Sequence, residues 1–220
     1  MTVNIIYTSD GSKTLYSEKH KEHYASINGA FTEAIHIFIN LGLKKFENQN
    51  LNILEIGYGS GLNAILTWYE NQKLNNKIYY HGIDIEPIDL KTAKALNHFT
   101  LLENNIKFNS NFYEKWGEKV IISKKFQLFK EKVELEKVNL SKNYNLIYFD
   151  AFSPKSQPEL WTTEIFQKLF KNMTANSYLV TYSSKGIVKQ ALRQAGFEVK
   201  RFQGPLGKRH IICANNMSFS

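Results

Sequence analysis

The chain has 220 residues, 43% of them hydrophobic, which suits one domain with a core of its own. No run approaches the roughly 18 apolar residues of a membrane span. The N-terminus MTVNIIYTSDGSKTLYSEKH has no basic stretch leading into an apolar one, so no secretory signal is expected. The single cysteine, Cys213, excludes an internal disulfide and is a poor basis for zinc, so a cytoplasmic protein without a metal is expected.

The first segment, to about Asn50, reads as an N-terminal extension packed on a core. Within it GAFTEAIHIFINLGL places Phe31, Ala34, Ile35, Phe38 and Leu41 at helical spacing. From residue 51 to 220 the elements alternate. LNILEIG is a strand, GLNAILTWYE a helix, KIYYHGIDIE a strand and PIDLKTAKALNHFTLLE a helix. A lysine-rich middle holds the strand KFQLFKE. YNLIYFDAF is a nearly continuous apolar run, as in a strand buried on both faces. TTEIFQKLFKNM follows as a helix with Thr162 or Thr163 as its cap. SYLVTYSS is a strand, GIVKQALRQAG a helix, and FEVKRFQG with RHIICAN closes the chain as a hairpin. The alternation predicts an α/β doubly wound, mostly parallel sheet with a C-terminal antiparallel pair.

Net charge is +8, unevenly placed. From Trp161 to Ser220, six lysines and all three arginines oppose only Glu164 and Glu198, a net +7. A solvated lysine-rich face is the plain explanation. The sharper one is a polyanionic partner, because clustered cations are the electrostatic footprint of nucleic-acid binding.

The turn EIGYGSGLN carries Gly57, Gly59 and Gly61, a partial match to a dinucleotide fingerprint, whose last glycine is replaced by Leu62. Glycines allow a sharp turn and close approach of backbone to a ligand at the head of a helix. Glu55 is a carboxylate in an apolar strand and requires a cationic or hydrogen-bonding partner. An acid there disfavours pyrophosphate and suits a phosphate-free nucleoside with an ammonium group, such as S-adenosyl-L-methionine, ahead of NAD. Asp84, 23 residues beyond Gly61, is placed to accept ribose hydroxyls, with Glu86 as an alternative. A plain loop with a capping acid is the alternative to this nucleoside site.

Asp150 ends the buried strand at the same sheet edge, where open α/β sheets bind ligands. Phe152, Pro154, Pro158 and Trp161 follow in a stiffened loop. Asp150 either caps a turn or accepts a hydrogen bond from an amine about to be methylated. Methyl transfer is a direct displacement, so alignment of nitrogen, methyl and sulfur is its main requirement.

LEIGYGSGLN, IYFDAFSPKSQPELWTTEIF and LVTYSSKGIVKQALRQAGFEVKRFQGPLGKRHIICA, with the N-terminal TSDGSKTL and YASINGAFTEAIHIFI, resemble one known family. It is the methyltransferase half of the tRNA 5-methylaminomethyl-2-thiouridine biosynthesis family, MnmC, whose stand-alone form is called MnmD. The resemblance covers nearly the whole chain, most weakly from Leu101 to Ser141. It implies a Rossmann-like fold and S-adenosyl-L-methionine as methyl donor. It also implies N-methylation of the 5-aminomethyl group on a tRNA wobble uridine.

Carried onto this chain, the resemblance makes Glu55, Gly57, Tyr58, Gly59, Gly61, Asn63 and Asp84 the cofactor site, bordered by Asp150. Glu131 is the acid that would meet the adenine. Asp150 becomes the catalytic carboxylate at the reacting amine. Lys208 and Arg209 stand near the substrate mouth, and Phe152, Trp161 or Tyr182 either stacks on the base or packs in the core. Fused members carry an FAD-dependent oxidase domain that prepares the amine. A chain of 220 residues has no room for it, so no flavin is expected and a separate protein would supply the aminomethyl group. Ala151 replaces a glycine common in relatives, a change of one methyl group. Two other readings stay open, an aminopropyltransferase or small-molecule amine methyltransferase, and a non-catalytic RNA-binding module.

Overall fold

The computed structural model describes residues 3–103, 106–141 and 143–217. Strands β1 (Val3–Tyr7), β2 (Lys13–Ser17) and β3 (Glu22–His23) form a small antiparallel sheet. Helix α1 (Ala30–Ala34) runs on as a π-helical turn over Ile35–Asn40 instead of a continuous α-helix. That turn buries Ile37, Phe38 and Ile39 together. Three successive residues sweep about 200° around an α-helix, and the wider π turn narrows that spread toward one face.

The main sheet is built from β4 (Asn50–Ile56), β5 (Lys77–Asp84), β6 (Lys119–Ser123), β7 (Phe126–Lys132), β8 (Tyr144–Phe149), β9 (Met173–Thr181), β10 (Glu198–Gln203) and β11 (His210–Asn216). Its order is β10-β11-β9-β8-β4-β5-β7-β6. The β4–β5, β4–β8, β5–β7 and β8–β9 ladders are parallel, and the edges close with antiparallel partners. Helices α2 (Leu62–Leu74), α3 (Leu90–Leu96), α4 (Thr163–Lys171) and α5 (Gly186–Gln194) connect them. This is the doubly wound, Rossmann-like plan with its C-terminal hairpin. The edge strand β6 lies in the lysine-rich middle, where alternation is weak.

Two apolar layers cover the sheet. In β4, Leu51 and Ile53 join the layer containing α2 and the π turn, while Leu54 and Ile56 join the layer containing α4 and α5. Burying each such side chain contributes roughly 1.5–3 kcal/mol. Helix α4 is capped by Thr162, whose hydroxyl accepts from Ile165 N at 3.3 Å. Helix α3 is shorter than its sequence pattern. Asp89 caps its start at 2.6 Å from Thr92 N, and Asn97 in the left-handed region (φ 43°) ends it. The break turns His98 inward, where it is buried.

Candidate active site

The carboxyl ends of β4, β5, β8 and β9 open into a cavity of about 580 Å³. The β2–β3 region and α1 form its other wall, through His20, Glu22, Tyr24 and Glu33. Among the described residues its lining holds eight carboxylates, those of Asp84, Asp150, Glu22, Glu33, Glu86, Glu134, Glu136 and Glu159. The one lysine or arginine there is Lys208. The interior of this basic protein is therefore acidic.

The glycine turn is shaped first by its own neighbours. Gly57 has φ +83°, and a Cβ there would stand 2.6 Å from the carbonyl oxygen of Asp150. The missing side chain lets the ends of β4 and β8 close on each other. Gly82 of β5 lies under the ring of Tyr58, leaving no room for a side chain. The Tyr58 hydroxyl donates to the Phe112 carbonyl at 2.6 Å. Beneath the ring, Lys130 is fully buried and donates to the carbonyls of Asn111 (3.3 Å) and Glu114 (2.5 Å). Burial pushes its ammonium down to about 7. His98 meets the Ser60 hydroxyl at 3.0 Å, and burial pushes its imidazole down to about 4, so it is neutral at pH 7.

Asp84 braces the same turn. Its Oδ2 accepts from Gly59 N at 2.7 Å and its Oδ1 from Glu86 N at 2.8 Å, while burial raises its pKa. Glu86 carries the spare acceptor. Its Oε1 pairs with Lys19 at 2.5 Å, but its Oε2 is buried with no hydrogen-bond partner. A ribose hydroxyl is the kind of donor that such an orphaned oxygen requires. With an acidic wall unsuited to phosphate, the residues fit S-adenosyl-L-methionine, which carries sulfonium and ammonium charges and no phosphate.

Asn63, in the first turn of α2, connects two acids. Its Nδ2 donates to Glu55 Oε1 and to Asp150 Oδ2, each at 2.8 Å. Tyr80 donates to the other Glu55 oxygen at 2.8 Å. Burial raises the Glu55 carboxyl well above the usual range, against these hydrogen bonds. Burial likewise pushes Asp150 up to about 8, against the Asn63 bond.

Phe152, beyond Asp150, stacks on His20 with centroids 4.3 Å apart, and Tyr24 meets it edge-on at 5.1 Å. Glu22 accepts from Ser153 N at 2.9 Å, tying β3 to the Asp150 loop.

The cavity thus gathers Gly57, Tyr58, Gly59, Asn63, Asp84, Asp150, Phe152 and Lys208 from the residues the sequence singled out. Others lie elsewhere. Glu55 is absent from the lining and sits behind it under α2, where it meets Asn63 and Tyr80. Glu131 is also outside the lining, because β7 has not yet reached the sheet edge there. It bonds His81 Nε2 at 2.8 Å, and Glu134 and Glu136, a few residues on, reach the cavity. Trp161 is buried among Phe149, Phe166 and Tyr182, and its Nε1 donates to the Phe152 carbonyl at 2.9 Å. It is therefore packing that fixes the Phe152 backbone, not a stacking platform. Gly61, with φ +73°, starts α2 without reaching the lining, and Arg209 is exposed outside it. No local motif marks His20, Glu22 or Glu33, which join the site only through tertiary packing.

A Rossmann-like sheet with an acidic cavity at its carboxyl edge defines a class, the enzymes built to bind a nucleoside-bearing cofactor. Residues 107–217, half of the chain, match the family model described as S-adenosyl-L-methionine-dependent methyltransferase, and the chain belongs to that family. Its cofactor is accordingly S-adenosyl-L-methionine. The tRNA 5-methylaminomethyl-2-thiouridine biosynthesis bifunctional protein MnmC of Legionella pneumophila (strain Lens) is 27% identical over 91% of this chain and 35% of its own length. The protein of that name from Leptospira interrogans is 28% identical over 90% of this chain and 33% of its own. The chain thus spans about a third of the length of these curated relatives. In fold it matches MNMC2 from Aquifex aeolicus, with a TM-score of 0.77 and 24% identity over 99% of this chain and 72% of the other. Spermidine synthase from Thermotoga maritima shares the fold at TM-score 0.64 and 11% identity, over 99% and 70%. No helix among the described residues is long and apolar enough to cross a membrane.

Proposed function

We propose that this methyltransferase converts 5-aminomethyl-(2-thio)uridine at the tRNA wobble position to its 5-methylaminomethyl form. The carrying observation is Asp150, an acid at the sheet edge beside the glycine turn, set in a cavity whose charges suit an amine. The names of the similar MnmC proteins state the same modified nucleoside. The basic C-terminal third supplies cations for a tRNA backbone outside the acidic cavity.

Bound S-adenosyl-L-methionine supplies a methyl group on a positively charged sulfur. An alkylammonium with the lysine-like pKa of about 10.4 has no lone pair at neutral pH. The site therefore has to take a proton from it before attack. Burial holds Asp150 at a pKa of about 8, and an adjacent ammonium draws it toward the carboxylate that accepts this proton or its hydrogen bond. Asn63 fixes the carboxylate by one oxygen and leaves the other for the amine.

On this reading residues 1–50 are more than an extension packed on residues 51–220, since they supply one wall of the acceptor end. The primary amine has to be made by a preceding reaction, and a tRNA substrate fits a cytoplasmic enzyme. The test is incubation with labelled cofactor and tRNA carrying the aminomethyl nucleoside, followed by nucleoside analysis. Cofactor binding without methylation of that tRNA removes the substrate assignment.

The eight cavity carboxylates also favour a second reading, a free polyamine or small amine as acceptor. Decarboxylated cofactor with putrescine tests it. Aminopropyl transfer in place of tRNA methylation would decide for that reading.

A further inference from the structure

Glu33, in the first turn of α1, is only 8% exposed and binds the Lys208 ammonium through Oε2. That ammonium also stands 4.7 Å from the centre of the Tyr182 ring, and the Tyr182 hydroxyl donates to the carbonyl of Ala151, beside Asp150, at 2.9 Å. The loop carrying Lys208 is tied at both ends, by Lys208 N to Pro205 O at 2.9 Å and Gly204 N to Arg209 O at 3.2 Å. A lysine held this way, inside the cavity, is poorly placed to meet a phosphate.

The charged groups at this end come from several elements. Asp150 follows β8, Glu22 projects from β3, Glu33 from α1 and Lys208 from the β10–β11 loop. Glu55 lies behind Asn63, and His20, Tyr24 and Tyr182 complete the surround. An ammonium entering among Asp150, Glu22 and Glu33 would bind well and keep its proton, leaving no lone pair for attack.

We propose that Lys208, held by Glu33, is a positioning residue that sets the charge of the acceptor end so that the amine reacts uncharged. The idea rests on the amine-methylation reading above. Lys208 neutralises Glu33 and places a like charge near the amine nitrogen. The ammonium then releases one proton, to Asp150 and onward to water. The nitrogen lone pair forms the N–C bond as the S–C bond breaks, with that bonding pair staying on sulfur. The product leaves as a secondary ammonium, so one proton is released per methyl transferred.

The experiment compares Lys208→Met, Lys208→Arg and Glu33→Gln, reading kcat and KM for aminomethyl-tRNA from about pH 6 to about pH 10. Lys208→Met is expected to lose about tenfold or more in kcat near neutrality, regained as pH rises by about one unit, with KM unchanged or lower. Glu33→Gln is expected to move the profile to lower pH, and Lys208→Arg to restore the wild-type profile. A raised KM with kcat and profile unmoved would make Lys208 a phosphate contact and overturn the proposal. Equal loss in Lys208→Met and Glu33→Gln at every pH would make the pair purely structural and also overturn it.

A readout without substrate is the carboxyl ¹³C titration of Asp150 in the free protein, assigned by its loss in Asp150→Asn. Its midpoint should rise in Lys208→Met and fall in Glu33→Gln, and unmoved midpoints count against the proposal. Wild-type protein inert toward aminomethyl-tRNA overturns the substrate reading. Active wild-type protein with unmoved profiles overturns only the role of Lys208.

Discussion

Asn63 holds Asp150 from the head of helix α2, its Nδ2 donating to Oδ2 at 2.8 Å while the same nitrogen also serves Glu55. One uncharged donor thus separates the buried Glu55 from the half-buried Asp150. Asn63→Ala leaves both without it and is expected to lower stability by about 2 kcal/mol, with turnover falling sharply. Asn63→Asp puts a third acid between them. It should be worse than alanine at neutral pH and approach it at acid pH, as measured by denaturant melts across pH.

Asp150→Asn keeps the hydrogen-bonding shape but cannot take a proton. Methyl transfer should fall strongly, by about 100-fold or more, while calorimetric affinity for the cofactor changes little. Equal turnover would remove Asp150 from the mechanism.

The same substitution gives a pH signature in stability. Burial raises Asp150 from the ordinary 3.8 of an aspartate to about 8, so the folded state holds a proton that the unfolded state has lost. Its contribution is complete below the unfolded value and is lost as pH rises toward the folded one. Asp150→Asn should therefore raise the melting temperature at pH 8, on the order of 5 °C. At pH 4 the gain should nearly vanish.

Two glycine substitutions separate required glycines from permissive ones. Gly57→Ala meets both a positive φ and the Asp150 carbonyl, and should reduce stability by about 2 kcal/mol or more together with cofactor affinity. Gly186→Ala, in open space at the start of α5, should raise stability by about 0.5–1 kcal/mol. Thermal melts and cofactor titration compare them.

Arg201 and Arg209 are exposed, near the open edge of the sheet and beside the Lys208 loop. Replacing each with alanine should weaken tRNA binding and lower the slope of log affinity against log salt by about 0.7–0.9 per contact removed. Methylation of a minimal aminomethyl nucleoside should be unaffected, and an unchanged salt slope would count against this surface.

The order of strands and helices was legible because period-2 and period-3.6 patterns alternate cleanly from Leu51 onward. The face of a side chain was harder to read. Glu55 shares the parity of Leu51 and Ile53, and that parity sends it under α2. Glu131 is separated from the cavity by register, since β7 runs to Lys132 and the lining begins beyond its end. The wall made by His20, Glu22 and Glu33 depends on a long-range docking that no local pattern encodes. Trp161 followed a functional loop closely enough to look like part of it, yet packing among Phe149 and Phe166 claims it.

On the proposed reading, the Gly57–Asp150 contact makes the two halves of the reaction neighbours on a single pair of strands. Asp150 N donates to Ile56 O at 2.9 Å, continuing the rungs of the β4–β8 ladder past its last pair, Ile56 and Phe149. The offset between donor turn and acceptor acid is therefore a lattice constant of the sheet, about 4.8 Å from strand to strand. Everything that recognises a particular acceptor hangs from loops outside that lattice. Such a frame can exchange its clientele by rebuilding loops while the line along which a group is handed over stays where the backbone put it.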